Sequence, residues 1–468
     1  GETIVIQTKQ KGLQEVLIAA IKRATNEKTL VSFVKQIDWV DPLLFYAAGK
    51  RISFENRCYF ADPAQHVIFA GIGSVFTIAN SSHKRFQTAR DEWEKVKENA
   101  FVQRDEYEFG TGPLLFGGFS FDPEKEKTDL WKEFKDTTFS LPAFLLTVKN
   151  EKAWLTMNTF VSATDCAETL SNEMISLEEK ILGESKCALN GSKLTVISKV
   201  EVDPKGWMKA IEKVQDEMKQ GNVQKVVLAR ELKVEMNHSI DSALVLEALR
   251  IGQPDCYVFS FDYKGACFLG ATPERLIRKE DEKFTSMCLA GSIGHGHSIE
   301  ESKRNSNALL HDEKNLAEHG YVVNMIRSVL NEHCEYVNIP ESPGLLTTKN
   351  LIHLYTPVEA KGDASLLTMV EELHPTPALG GTPRLEAMKL IRDVELLDRG
   401  LYGAPIGWID DEGNGEFAVA LRCGLLNGEK ASLFAGCGIV IDSIPQLEYE
   451  ETSLKFRPML GALEELMK

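Results

Sequence analysis

The sequence predicts an α+β chain built on antiparallel sheets. Strand-like runs fall next to one another, helical patterns come in blocks, and one pair of runs carries a hairpin signal. In the N-terminal part, "HVIFAGIGSVFTI" (66–78) and "PLLFGGFSFDP" (113–123) read as short strands. "CAETLSNEMISLEEKIL" reads as a helix, and the polar "GESKCALNGSK" (183–193) after it divides an N-terminal from a C-terminal portion. The C-terminal portion opens on a helix capped by Asp203, with Pro204 first, Trp207, Ile211, Val214 and Met218 on one face, and Gly221 at its end. Strands follow at "QKVVLARELKV", "CYVFSFDY", "ACFLGATP", "APIGWID", "EFAVALRC" and "ASLFAGCGIVI"; Asn427-Gly428 marks a hairpin between the last two. Long helices are expected at 300–333 and 448–467.

The 468 residues carry a net charge of −16, with Lys and Arg interspersed, so no basic stripe suits a phosphate backbone and nucleic acid is not an expected partner. No apolar run approaches the roughly 20 residues that span a bilayer, and no signal-peptide pattern is present. Gly1 in place of Met suggests an expression remnant or processing. Nine cysteines without a CxxC pair point to reduced thiols and a cytoplasmic setting. "AGIGSV" (70–75) lacks the third glycine and the following helix of a dinucleotide site, and reads as two strands meeting at a turn.

A few charged positions are aimed by their local structure. Lys225 alternates with Val227 and Ala229 on one strand face. It is either a desolvated amine of lowered pKa, usable as a base, or an edge-strand lysine in water. Glu274 follows a strand and a Thr-Pro turn, and either serves chemistry or favours a helix N-terminus begun by Pro273. Glu318 lies on one helix; Glu448, Glu451 and Lys455 share a face of another. Carboxylates from two helices can hold Mg2+, and they can equally form a solvated face with a Glu–Lys pair. "HGH" (295–297) is too close-spaced and loop-like for a metal pair.

"HPTPALGGTPR" (374–384) places His374 and Thr376 before prolines, which favours extended backbone, and follows with Gly380-Gly381. It predicts a rigid extended arm presenting free N–H groups of Ala378 and Leu379, then a helix capped by Thr382 with Pro383 first.

In order along the chain, "KVVLAR", "GATPERL", "LAGS", "AEH", "HPTPALGG", "YGAPIGW", "ALRC", "AGCGIV" and "EETSLKF" resemble the chorismate-utilising enzymes over residues 203–460. "FGGFSFDP" and "LPAFLL" resemble the N-terminal part (1–195) of the isochorismate synthase branch. The resemblance implies a single large fold, with antiparallel sheets packed face to face and helices outside. It implies Mg2+-dependent isomerisation of chorismate, water adding at C2 while the C4 hydroxyl leaves. Carried over by motif, Lys225 matches the base that activates water and Glu274 the acid for the leaving hydroxyl. Glu318 and Glu451 match the metal ligands, and Arg422 and Lys455 match groups that pair with substrate carboxylates. Tyr402, Gly436 and Gly438 match pocket-lining residues, and Gly291 matches the loop at the C4 end. His374, Ala378 and Leu379 match the wall beside C2 and C4.

Relatives that expel pyruvate commonly carry Thr where this chain has Ala378, which favours an isomerase over a salicylate synthase. Lys225 and "LAGS" count against an amine-transferring synthase, so no glutamine amidotransferase subunit is expected, and the enzyme is expected as a monomer. A non-catalytic binding protein should have lost one of these positions, and none is missing. Asn315, where relatives often place an acidic residue, is the one departure. The long N-terminal portion leans towards menaquinone rather than siderophore synthesis.

Overall fold

A computed structural model of the chain describes residues 4–6, 12–64 and 66–468; Gly1 lies outside them. Among these residues two sheets form, of 14 and 10 strands, and nearly every pairing is antiparallel. The exceptions are Ile4–Ile6 and Thr29–Ile37, each parallel to Phe101–Gln103.

Each sheet consists of an N-terminal and a C-terminal block of strands joined by one pair. In the larger sheet Arg57–Ala61 pairs with Tyr257–Tyr263; in the smaller, Leu114–Phe119 pairs with Pro405–Asp410. The pleat sends Tyr257, Phe259 and Phe261 into the core between the sheets and Val258 towards the helices behind the larger one. The inter-sheet core is aromatic: Phe60 and Phe69 of the larger sheet meet Phe116 of the smaller edge-on at 6.2 and 6.0 Å. Phe69 also meets Trp408 at 5.8 Å. Helices Leu13–Arg23, Pro42–Arg51, Ala167–Glu184, Ser242–Gly252 and Pro445–Glu465 cover the other face of the larger sheet. This is the α+β, antiparallel-rich architecture the sequence predicts.

Local expectations meet the structure in detail. Helix Pro204–Lys219 starts at Asp203, whose side chain accepts from Gly206 N, and buries Trp207, Ile211, Val214 and Met218. The hairpin turn is Gly428-Glu429, with Asn427 paired to Lys430 and Gly428 at φ +62°. "AGIGSV" does turn between two strands, but they belong to different sheets, and Gly73 (φ +78°) marks the crossing. The helix expected over 300–333 is two helices, Ile299–Leu310 and Glu313–His333. Asp312 starts the second by accepting from Asn315 N at 3.0 Å. Pro383 is not the first residue of a helix. Thr382 pairs with Lys225 as strand, Pro383 takes extended backbone, and the helix begins at Arg384. Nor is 374–380 an extended arm. It folds into a turn in which Leu379 N donates to Thr376 O (3.0 Å) and Ala378 N to Thr376 Oγ1 (3.2 Å), so neither N–H is free.

Candidate active site

Strand Lys225–Met236 lies inside the larger sheet, between Lys430–Ile439 on one side and Gly381–Thr382 with Val196–Glu201 on the other. Lys225 is therefore no edge lysine. It is fully buried, with Nζ in an ion pair 3.2 Å from Glu318 Oε1. Burial lowers its proton affinity, against the opposing pull of Glu318 and Glu274.

Glu274 sits where the chain passes from strand Ala266–Thr272 of the larger sheet to Arg275–Glu280 of the smaller. No helix follows Pro273, which removes the helix N-terminus reading. The carboxyl is 2% exposed and burial pushes it up to about 8, even though Arg422, Lys225 and Lys455 pull it down. The cavity is thus lined by a carboxyl inclined to keep its proton, while an amine inclined to be neutral lies just behind the lining, against Glu318 and Gly438.

The glycines around these groups make room. A Cβ on Gly438 would lie 2.2 Å from Glu318 Oε1 and 2.8 Å from Lys225 Cε; one on Gly436 would lie 2.9 Å from the Tyr402 hydroxyl. Gly291 (φ +87°) occupies a bulge where the strand pairing slips between Leu289 and Ser292. Along the far side, Lys455 Nζ donates to Gly436 O (2.8 Å) and stands 3.7 Å from Glu451 Oε1. Arg422 lines the cavity and, among the described residues, its side chain donates no hydrogen bond to protein. Ala378, Leu379 and Tyr402 complete the wall.

Glu448 and Glu451 stand side by side on the last helix and affect each other in opposite directions. Glu448 is pushed up to about 7 by burial and by Glu451, although Lys314 pairs with it. Burial works against ionisation of Glu451, but Lys455, Glu448 and the Ser292 hydroxyl hold its carboxyl well below the ordinary range. Glu318 and Glu451 line the cavity, with Glu448 adjoining Glu451 outside the lining, and these carboxylates form an oxygen donor set that suits a hard divalent cation. The Cys437 thiol beside them is buried and pushed well up, which keeps it protonated and a poor ligand.

His374 is not among the residues lining this cavity. Its Nε2 donates to Phe121 O at 3.0 Å, its ring meets Phe121 edge-on, and burial takes it down to about 3, so it serves as a neutral packing group. The residue missed by sequence reasoning is His353, on strand Leu351–Lys361 opposite Ser292. It lines the cavity with Nε2 unpartnered, and burial, Arg422 and Lys455 hold it neutral. Its only signal in the sequence is a lone His among alternating apolar residues of "LIHLYTPV".

The family model for chorismate binding enzymes matches residues 13–464. The chain belongs to this family. It is 39% identical to the isochorismate synthase MenF of Bacillus subtilis, over 98% of this chain and 99% of that one. It is 33% identical to the salicylate biosynthesis isochorismate synthase of Pseudomonas aeruginosa, over 94% of this chain and 91% of that one. Among solved structures, MenF, the menaquinone-specific isochorismate synthase from Escherichia coli, matches with a TM-score of 0.77. That match covers 97% of this chain and 99% of that one at 23% identity, a likeness of fold. Within the family's fold, the cavity described here collects residues from both sheets and from two helices. No helix among the described residues is long and apolar enough to cross a membrane.

Proposed function

We propose that the chain is an isochorismate synthase, isomerising chorismate to isochorismate. The observation that carries this reading is the relation of Lys225 to Glu274: a buried carboxyl of raised proton affinity on the cavity, and a buried amine of lowered proton affinity just behind its lining, against Glu318 and Gly438. The reaction forms a C2–O bond from water and breaks the C4–O bond, so one proton must be taken and another supplied. Neutral Lys225 takes the proton of the attacking water; protonated Glu274 gives its own to the C4 hydroxyl, which leaves as water. Arg422 and Lys455 neutralise and orient the dianionic substrate. Glu318 and Glu451, with Glu448 beside them, would hold Mg2+, which when bound offsets the charge of the ring carboxylate. Asn315 is spent inside its own helix start, where its side chain donates to Asp312, so it stands apart from that donor set.

Full-length similarity to MenF of Bacillus subtilis favours the menaquinone branch, with chorismate as the sole partner, in the cytoplasm and without an amidotransferase subunit. The test is incubation with chorismate and Mg2+, assaying isochorismate and pyruvate together. Isochorismate without stoichiometric pyruvate is expected, and its formation should cease in excess EDTA. Pyruvate released mole for mole with chorismate consumed would instead make the chain a salicylate synthase.

A further inference from the structure

Strand Lys225–Met236 has a gap in its pairing beside the cavity. Val227, Ala229 and Glu231 turn their peptide groups to the same side. There Val227 N donates to Gly380 O (2.7 Å), and pairing resumes where Val202 N donates to Glu231 O (3.0 Å). Between these points no strand is present, and two side chains stand in for one. Glu395 Oε2 accepts from Ala229 N at 2.9 Å, and Arg399 Nη2 donates to Val227 O at 3.0 Å. The two side chains are joined by a bidentate pair, at 2.6 Å to Arg399 Nε and 2.9 Å to Nη2. The remaining Arg399 nitrogen, Nη1, donates to Leu379 O at 2.8 Å. Both residues are buried and lie on irregular backbone after helix Arg384–Val394, so their spacing of four is not that of a helical pair.

We propose that Arg399, oriented by Glu395, is a positioning residue that fixes the strand of Lys225 against the turn of Ala378 and Leu379. This rests on the isomerase reading of the same cavity. Val227 and Leu379 both line that cavity, so one rigid guanidinium sets the spacing between the wall and a strand whose first residue is the base. Neither side chain is placed to touch substrate. A lysine cannot replace the arginine: its single ammonium lacks the planar fork needed to satisfy a carboxylate and two carbonyls at once. Proximity effects make small misplacements costly in rate.

The experiment compares wild type, Arg399→Lys and Glu395→Gln, counting folded protein by near-ultraviolet circular dichroism. It measures kcat, KM for chorismate and the pyruvate-to-isochorismate ratio. The positioning role predicts that Arg399→Lys lowers kcat per folded molecule by about 10- to 100-fold, with KM within about threefold of wild type and a raised pyruvate share. Glu395→Gln, which can still accept from Ala229 N but loses the charged fork to Arg399, should lose about three- to tenfold. If Arg399→Lys does not fold, Glu395→Gln carries the test, and wild-type kcat per folded molecule in it overturns the proposal. Wild-type kcat and product ratio in folded Arg399→Lys do the same, leaving the pair a purely structural plug. Should wild type form another product from chorismate, the isomerase reading fails separately, and the kcat-against-KM split on that product still decides the role of Arg399.

Discussion

Two buried clusters of charge lie in this molecule, and they are built in opposite ways. Behind the larger sheet, Arg57 meets Asp262 at 2.7 Å and donates to Tyr46 O and Ser242 Oγ, each at 3.0 Å. The Tyr46 hydroxyl donates to Asp262 Oδ2 at 2.6 Å. Burial works against the Arg57 charge, yet Asp262, Tyr46, Cys267 and Asp241 together outweigh it and hold the guanidinium protonated. Every group there is answered by another. At the cavity, His353 Nε2 has no partner, Lys225 behind the lining faces only the Glu318 carboxylate at 3.2 Å, and Lys225 and Glu274 are both displaced towards their neutral forms. A closed network has nothing left to offer a ligand, whereas unanswered donors are groups waiting for one.

The sharpest way to break this contrast is Lys225→Met, which keeps volume and removes the amine. Turnover should fall by roughly a thousandfold if the amine is the base. The urea midpoint should shift little, since removing the cost of burying the amine offsets the loss of its ion pair with Glu318. A loss of stability without loss of turnover would place Lys225 in the first class of cluster. Arg57→Met should do the reverse. Stranding Asp262 without its partner should cost about 3–5 kcal/mol of stability, with kcat per folded molecule unchanged. Any fall in kcat per folded molecule would show that the closed network also serves the site.

The smallest effect is in pH. Glu274 acts as the acid only while protonated, so kcat/KM should fall about tenfold per pH unit above its titration near 8. Lys225 acts only while neutral, so the opposite limb should appear as pH falls. Initial rates across pH 6–10 test both; a flat upper limb would remove Glu274 from the acid role.

Much of this was legible in residue order. The pattern of Lys225, Val227 and Ala229 follows from the strand repeat, and the start of the 204–219 helix from Asp203 and Pro204. His374 was misplaced because proximity along the chain to Ala378 says nothing of direction. The turn at 374–380 points its ring to Phe121 instead. His353 was missed because a histidine on an apolar strand carries no mark of which sheet face opens on a cavity.

By itself, then, the sequence determined the α+β class, the helices and strands around the motifs and the ordered set of motifs, because these depend on local periodicity, turn chemistry and neighbouring residues. Tertiary structure alone decided that Lys225 is dry, that Glu274 stands at the crossing between sheets, and that Gly438 makes room for Glu318. It also decided that Glu395 and Arg399 replace a missing strand. The reason is physical: proton affinity and backbone satisfaction depend on which distant segments exclude water from a group, and that exclusion is a property of packing rather than of neighbouring letters.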